Sequence, residues 1–332
     1  MNKIETIGKI EKYSFYLDTA FNRLSKQRFE IVGKDKLETK KIIATKKIDF
    51  LKKELTTPLR RIHNSFPSFT TMPAFYQNLL KLQFDLVDVR KNISSLNGSA
   101  ILIEDFSRKY IEKVRFSREN NIVSKHLSEY FGKMKSVFKK LKTTMEELEN
   151  LRKYIKSFPV IQDTQTISIA GLPNVGKTTI FGKLTNSFPE INSYPFTTKQ
   201  IMVGYFKNKD KSVQLLDTPG ALNRDFEKMN NVEKQAILAL KFLSDKVLFL
   251  IDPTEFCGYT FEDQMKLFEK FKNKFSDKEF GLFFTKKDMF NEDIENKINN
   301  LDEKYNKFIL KSENDIVDFI TKDKYKKIYK KE

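Results

Sequence analysis

A glycine-rich octapeptide between a short apolar run and a helix-forming segment restricts the fold of this chain more than any other feature. The residues GLPNVGKT run from Gly171 to Thr178 and fit the spacing of a glycine, four residues, then Gly-Lys-Thr. Gly171 and Gly176 permit backbone angles that aim N–H groups at phosphates, and the following helix adds its positive N-terminal end. A chance glycine turn is the alternative, but the flanking strand and helix patterns favour a phosphate-binding loop (P-loop).

Side chains of this loop are predicted to bind the nucleotide and its metal. Lys177 is expected to reach the β- and γ-phosphates as a catalytic group, and the Thr178 hydroxyl is expected to ligate Mg²⁺. The nucleotide contacts are assigned to Asn174, Val175, Gly176, Lys177, Thr178 and Thr179.

Two motifs downstream fit a switch that senses the γ-phosphate. Asp217-Thr-Pro-Gly220 follows the apolar run 213–216, so Asp217 is predicted to hold Mg²⁺ and the Gly220 N–H to sense the γ-phosphate. Thr197 and Thr198 lie between this motif and the loop, and Thr198 is predicted to close on Mg²⁺ in the triphosphate state. Gly220 and Thr198 are therefore predicted to act in catalysis with Lys177.

The base is predicted to be guanine. Thr285-Lys-Lys-Asp288 follows the apolar run 281–284, and the Asp288 carboxylate can accept from both N1–H and the 2-amino group of guanine. Lys286 can lie along the base, whereas many GTPases have Asn at the position of Thr285. Ser312 and Glu313 are a weaker signal for base contact.

Two residues bear on the rate of hydrolysis. Ala221 follows Asp-x-x-Gly where Ras-type enzymes place a water-orienting glutamine, so slow intrinsic hydrolysis is expected. Asn174 is either a turn former or a ligand of a K⁺ ion that neutralises charge in the transition state. The sequence leaves both alternatives open.

The positive charge is concentrated in the first half of the chain. The net charge is +17, of which residues 1–158 carry +15 and residues 159–332 carry +2. A lysine-rich genome predicts a similar excess in both halves, so the difference points to a polyanion partner, most simply nucleic acid. Lysines 135, 139 and 142 recur at steps of four and three and are predicted to form the RNA-binding face. The other basic residues assigned to it are Lys133 and Lys140 beside this row, and Arg152, Lys153 and Lys156 where the chain enters the second half.

Residues 1–158 are predicted to form an all-α antiparallel helical bundle. No proline occurs between Pro73 and Pro159, and one apolar seam at helical spacing runs from Phe75 to Leu96 on a single long helix. A second helix is expected after Gly98, a third over 127–141 continuing towards residue 155, and an earlier one over 37–55.

Residues 159–322 are predicted to form an α/β P-loop GTPase domain, a mostly parallel sheet with helices on both faces, followed by a lysine-rich tail over 323–332. Strands are expected at 166–170, 201–206, 213–216, 247–251 and 281–284, and helices at 178–186, 226–243, 261–275, 289–303 and 315–321.

Several classes of site are disfavoured by composition. One cysteine and two histidines argue against a disulfide framework, a cysteine-based zinc site and histidine chemistry. No stretch approaches about 20 uninterrupted apolar residues, and the N-terminus lacks the apolar core of a signal peptide. A cytoplasmic protein without a membrane partner is therefore expected.

The motifs together resemble the Obg-related GTPases, and more narrowly the nucleolar GTP-binding protein 1 family and its archaeal relatives. The resemblance rests on GLPNVGKT, on Tyr-Pro-Phe-Thr-Thr-Lys ending at Lys199, on the DTPG turn, and on Cys257-Gly-Tyr259 after Asp252. In the first half, Phe66-Pro67, the segment 73–80, Asp88 and the basic helix 132–141 resemble that family's N-terminal helical domain.

This resemblance implies a GTP-hydrolysing factor in assembly of the large ribosomal subunit that binds ribosomal RNA through its helical domain. GTP or GDP and Mg²⁺ are the expected ligands, with K⁺ the open question, and a monomer that binds no DNA is expected away from the ribosome. The alternative is an RNA-binding scaffold that holds guanine nucleotide with little turnover, which Ala221 favours. A signalling or transport GTPase without RNA is disfavoured by the basic first half.

Overall fold

The computed structural model describes residues 7–29, 35–158, 161, 164–185, 202–208, 211–218, 229, 231–301 and 303–322. These residues form two compact units, one from residues 1–72 and 83–156 and the other from residues 73–82 and 157–332. These units are defined by packing within each of them. They do not test the predicted domain limits at residues 158 and 322, which stay predictions. The predicted tail, residues 323–332, lies outside the described residues.

The first unit is helical, as predicted. Its core consists of apolar stripes at helical spacing, for example Ile48, Leu51, Leu55 and Leu59 along one helix. From the N-terminus the helices of the first half are α1 (Tyr13–Lys26), α2 (Lys36–Ser65), α3 (Ala74–Lys81), α4 (Leu86–Arg115), α5 (Asn120–Lys140) and α6 (Lys142–Lys156), of which α3 packs with the second unit.

The prediction of one long helix from Phe75 to Leu96 is wrong. The helix α3 ends at Lys81, and Asp85 starts α4 by accepting the N–H of Val87 at 2.7 Å, which is the role of an N-cap. The break predicted at Gly98 is also wrong, because α4 continues to Arg115. A Cβ at Gly98 would meet no atom within 4 Å, so this glycine lowers helix propensity without marking a turn.

Other helix ends differ from the prediction. The helix α2 continues through Pro58 to Ser65, and α1 was not predicted at all. The predicted third helix is divided at Leu141, whose N–H bonds the Phe138 carbonyl at 3.0 Å, three residues back, as α5 ends. Lys142 therefore begins α6, and the predicted row of lysines spans the junction of two helices.

The second unit contains a six-stranded sheet in the order β2-β3-β1-β4-β5-β6 within the described residues. Only the β2–β3 pair is antiparallel among these five pairings, so the predicted mostly parallel sheet is confirmed. The strands are β1 (Thr166–Ala170), β2 (Met202–Asn208), β3 (Lys211–Asp217), β4 (Lys246–Ile251), β5 (Glu279–Phe284) and β6 (Ile309–Leu310).

Helices alternate with these strands, and the central strands β1 and β4 are buried along their whole length. That pattern is typical of a sheet covered on both faces. No helix in the described part of the chain is both long and apolar enough to cross a membrane. The helices of the second half are α7 (Lys177–Thr185), α8 (Asn231–Phe242), α9 (Phe261–Lys274), α10 (Glu292–Asn299) and α11 (Glu313–Thr321).

Candidate nucleotide-binding site

The predicted site residues follow the carboxyl ends of strands that run in one direction. Gly171 follows β1, Asp217 ends β3, and Thr285 follows β5, with β1, β3, β4 and β5 mutually parallel. Parallel strands bring their carboxyl ends to one edge of a sheet, where α/β proteins bind ligands. The fold therefore gathers these separated segments at one edge.

The loop from Gly171 to Gly176 has a backbone that glycine makes possible. Gly171 has φ +146°, and a Cβ there would lie 2.6 Å from the carbonyl oxygen of Leu250 on β4. Gly176 has φ +94° before the first turn of α7. Asn174 has φ +62° and is exposed, which fits its turn-forming alternative because asparagine tolerates this conformation.

Lys177, Thr178 and Asp217 come together beneath this loop. The Lys177 side chain is buried, and its Nζ donates to the carbonyl oxygen of Leu172 at 2.7 Å. The Thr178 hydroxyl donates to Asp217 Oδ2 at 2.9 Å. Thr179 is exposed in the same helical turn, while Val175 is buried. A cation, a hydroxyl and a carboxylate thus meet at the N-terminus of α7, which itself favours anions.

The Asp217 carboxylate fits a metal ligand. It is buried, and its Oδ1 has no hydrogen-bond partner among the described residues. Burial raises the pKa of this carboxyl above its usual range, although the Thr178 hydroxyl and the Lys177 charge act in the opposite direction. A buried, unpaired carboxylate oxygen beside a threonine hydroxyl is an oxygen donor set of the kind Mg²⁺ prefers.

Thr285 connects the base-binding segment to the phosphate loop. Its hydroxyl lies 2.8 Å from the carbonyl oxygen of Val175 and 3.2 Å from that of Ile251, and its N–H donates to the latter at 2.9 Å. The side chain is buried. Threonine in place of asparagine therefore still supplies a donor that holds the two segments together.

Lys286 is fixed by a carboxylate that the sequence reasoning did not assign to the site. Its Nζ lies 2.7 Å from Oδ2 of Asp252, which is fully buried at the end of β4. Burial alone would raise the pKa of Asp252, but hydrogen bonds from Lys286 and Thr254 outweigh it, and the pKa is lowered. Lys286 also has φ +58°, uncommon for a long side chain, so the ion pair helps to hold a strained backbone.

The signal that could have found Asp252 is its position. It is a carboxylate directly after a fully apolar strand, β4, at the same sheet edge as the other site residues. Its backbone N–H donates to Gln264 Oε1 at 2.8 Å, which fixes the residue in place. Asp252 is fully buried and paired with Lys286, so its role is to position that lysine.

Asp288 and Ser312 have different surroundings. Asp288 is exposed in the short 3-10 turn Lys287–Met289 that follows Lys286, so its carboxylate is accessible to a ligand. Ser312 instead caps α11, accepting the N–H of Asp315 at 3.1 Å while Asp315 accepts the N–H of Ser312 at 2.9 Å. This capping box explains Ser312 without a role in base contact.

The switch residues predicted from the sequence fall outside the described residues. These are Thr197, Thr198, Gly220 and Ala221. Their roles stay predictions.

Replacing Asp217 with asparagine is expected to stabilise the nucleotide-free protein while weakening Mg²⁺-dependent nucleotide binding. A buried amide avoids the cost of a buried anionic carboxylate, and each kcal/mol of relief raises Tm by about 2–4 °C. The pKa of Asp217 is raised in the folded state. The free energy of unfolding of the wild type therefore falls as pH rises through that pKa. The gain in Tm should therefore be present at neutral pH and vanish below about pH 4.

Thermal unfolding at several pH values, with and without GTP and Mg²⁺, measures both effects. Asp318→Asn, an exposed carboxylate in the same unit, is the matched control and should leave Tm nearly unchanged. A lower Tm for the Asp217 variant at neutral pH without nucleotide would contradict the expectation.

Two family profiles cover most of the chain. The NOG1 N-terminal helical domain matches residues 5–162. A profile described as 50S ribosome-binding GTPase matches residues 166–286.

Individual relatives agree with these profiles. An uncharacterized protein of Methanocaldococcus jannaschii is 37% identical over 65% of this chain and 61% of its own length. Nucleolar GTP-binding protein 1 of Eremothecium gossypii is 30% identical over 82% of this chain and 43% of its own length. This chain thus spans about two fifths to three fifths of these curated relatives. A crystal structure of a Plasmodium falciparum nucleolar GTP-binding protein 1 is 29% identical, covering 46% of this chain and 77% of that one, with a TM-score of 0.36.

Proposed function

Because this chain belongs to the nucleolar GTP-binding protein 1 (NOG1) family, we propose that it hydrolyses GTP and acts in assembly of the large ribosomal subunit. We also propose that it binds ribosomal RNA through its basic helical half. The observation that carries the enzymatic part is the buried Asp217 oxygen without a described partner, next to Thr178 and Lys177. The profile descriptions support the ribosomal part.

Different residues of the described site would have different roles in hydrolysis. Backbone N–H groups of the loop and the Lys177 ammonium would bind and neutralise the phosphates, and Thr178 and Asp217 would hold Mg²⁺. Mg²⁺, when bound, neutralises charge that develops on the phosphate oxygens. Lys177 now donates to the Leu172 carbonyl, so phosphate binding replaces that hydrogen bond. Asp288 and Lys286 would select guanine, with Lys286 already held by Asp252.

A role for K⁺ at Asn174 is a proposal that the rate of hydrolysis can test. The exposed Asn174 amide stands at the loop position where such an ion would be bound. Replacing K⁺ by Na⁺ at constant ionic strength should lower the rate several-fold, and Asn174→Gly should remove the difference while keeping the turn. An unchanged rate in Na⁺ would eliminate the ion and leave the turn-forming role alone.

The proposed RNA-binding face lies on α5 and the start of α6. Lysines 133, 135, 139, 140 and 142 are all exposed, whereas Met134, Val137 and Phe138 of α5 are buried. Lys135 Nζ also lies 5.4 Å from the centre of the Phe21 ring, so its stem is partly fixed. A solvated lysine face is the alternative. The +15 charge of residues 1–158 beside the nearly neutral second half favours RNA.

Charge reversal of Lys135, Lys139 and Lys142 is expected to weaken RNA binding without changing GTP affinity. Phosphate contacts give a slope close to one unit of log K per neutralised phosphate in plots against log salt, so the slope should fall by about three units. Filter binding to ribosomal RNA across a salt series measures this. The control reverses Lys266, Lys270 and Lys274, which are exposed at steps of four on α9. Equal losses in both triple variants would mean that the face is merely solvated.

A second candidate function is an RNA-binding scaffold that holds guanine nucleotide with little turnover. Ala221, which cannot orient water, is the residue that favours it. Multiple-turnover hydrolysis separates this scaffold from the proposed enzyme.

A further inference from the structure

A cavity of about 290 Å³ lies between α1 and α2 in the first unit. Ligand sites in proteins range from about 300 to 1,000 Å³, so the volume of this cavity suits one small group and not a large ligand. Its lining combines aromatic, hydroxyl and cationic side chains in one place. The ones that matter here are Phe15, Tyr16, Arg23, Lys53, Thr57 and Arg61.

The charges at this cavity favour an anion. Arg23 Nη1 is paired with Oε2 of Glu54 at 2.8 Å. Lys53 and Arg61 have no ion-pair partner among the described residues, and both are exposed. Three cations against the single carboxylate of the lining leave an excess of positive charge at the rim. Arginine and lysine in such an excess are the groups that bind phosphate.

The aromatic part offers a flat apolar face. Phe15 is 52% exposed, which is unusual for a phenylalanine, and it stands in the first turn of α1. Its ring is set edge-on against buried Tyr16, with centroids 5.7 Å apart and planes at 84°. The Tyr16 hydroxyl accepts the N–H of Glu11 at 3.0 Å, which fixes that ring. Phe15 therefore exposes one aromatic ring to solvent and packs against the Tyr16 ring, which a hydrogen bond holds in place.

We propose that this cavity binds a single unstacked nucleotide of an RNA partner, with the base on Phe15 and its phosphate between Lys53 and Arg61. Proteins recognise extruded RNA bases by stacking them on aromatic rings with cations on the adjoining phosphates. The inference rests on the proposed RNA binding of the helical half. The cavity would be a second RNA-binding site, distinct from the lysines of α5. It would recognise an unpaired base, whereas those lysines would contact phosphates alone.

The test uses the full chain and two short RNA hairpins that differ by one bulged adenosine. The wild type should bind the bulged hairpin roughly tenfold more tightly, within the range expected for stacking one base. Phe15→Leu and Arg61→Gln should abolish that preference while keeping affinity for the fully paired hairpin. Phe15→Tyr keeps a flat ring and should retain the preference. Because Phe15 and Arg61 are exposed, these variants should fold, which thermal unfolding checks.

The outcomes separate this inference from the proposed function. Equal binding of the two hairpins by the wild type overturns the nucleotide site but leaves RNA binding standing. Loss of the preference in the α5 charge-reversed protein, with the preference kept in Phe15→Leu, also overturns it. If neither hairpin binds, the proposed RNA function fails together with the site. Binding of free AMP as tight as that of the bulged hairpin would reassign the cavity to a mononucleotide.

Discussion

Replacing Lys177 with alanine is expected to reduce GTP turnover by at least about a hundredfold, the loss seen when one preorganised donor to developing negative charge is removed. Lys177 is buried at the N-terminus of α7, and its charge acts on Asp217, which is hydrogen-bonded to the neighbouring Thr178. Its ammonium is the cation that the described site can offer to the β- and γ-phosphates. Without this ammonium, one positive group fewer offsets the negative charges of the buried Asp217 carboxylate and the phosphates.

Single-turnover hydrolysis at saturating GTP and Mg²⁺ measures this effect. Lys177→Met keeps the length of the side chain without its charge and should lose as much activity as the alanine variant. Lys183→Ala is the matched control on the same helix, because Lys183 is exposed and pairs with Glu313 at 2.7 Å. Turnover by Lys177→Met close to the wild-type rate would place the catalytic cation elsewhere.

Asp288→Asn is expected to change the base specificity from guanine towards xanthine. The carboxylate is exposed at the end of the segment that Thr285 ties to the phosphate loop, so it can accept two hydrogen bonds from guanine. Loss of this charge-assisted, two-point contact should cost about 1.5–3 kcal/mol, which is roughly a 10- to 150-fold loss of GTP affinity. The asparagine amide can donate to the C2 oxygen of xanthine, so affinity for xanthosine triphosphate should rise.

Competition among GTP, ATP and xanthosine triphosphate for the full chain measures this specificity. Asp293→Asn, an exposed carboxylate in the first turn of α10, is the control and should bind GTP normally. Equal affinity of the wild type for ATP and GTP would reject guanine selection by Asp288.

A motif with a rigid backbone requirement predicted the conformation of the loop correctly. GLPNVGKT needs glycine at its first and sixth positions, and the structure gives Gly171 and Gly176 the positive φ angles that this implies. The five longer strands were also found, because each is a compact apolar run between polar segments. The two-residue strand β6 was missed, since two residues carry no periodicity.

Features that depend on tertiary contacts were not predictable from the sequence. The seam from Phe75 to Leu96 has helical spacing throughout, yet the chain breaks within it, where Asp85 caps a new helix. Apolar periodicity cannot show that its first part, α3, packs in the other compact unit. In the site, the Asp252–Lys286 ion pair joins residues 34 positions apart, which spacing alone does not connect.

Multiple-turnover hydrolysis of GTP by the full chain, with and without purified large ribosomal subunits, tests the proposed function most directly. Lys177→Ala supplies the background rate. Slow turnover by the isolated protein and an acceleration of at least about tenfold by large subunits, absent with small subunits, is the predicted result. GTP that binds normally but turns over at the same low rate with and without large subunits would contradict the proposed enzyme and leave the scaffold.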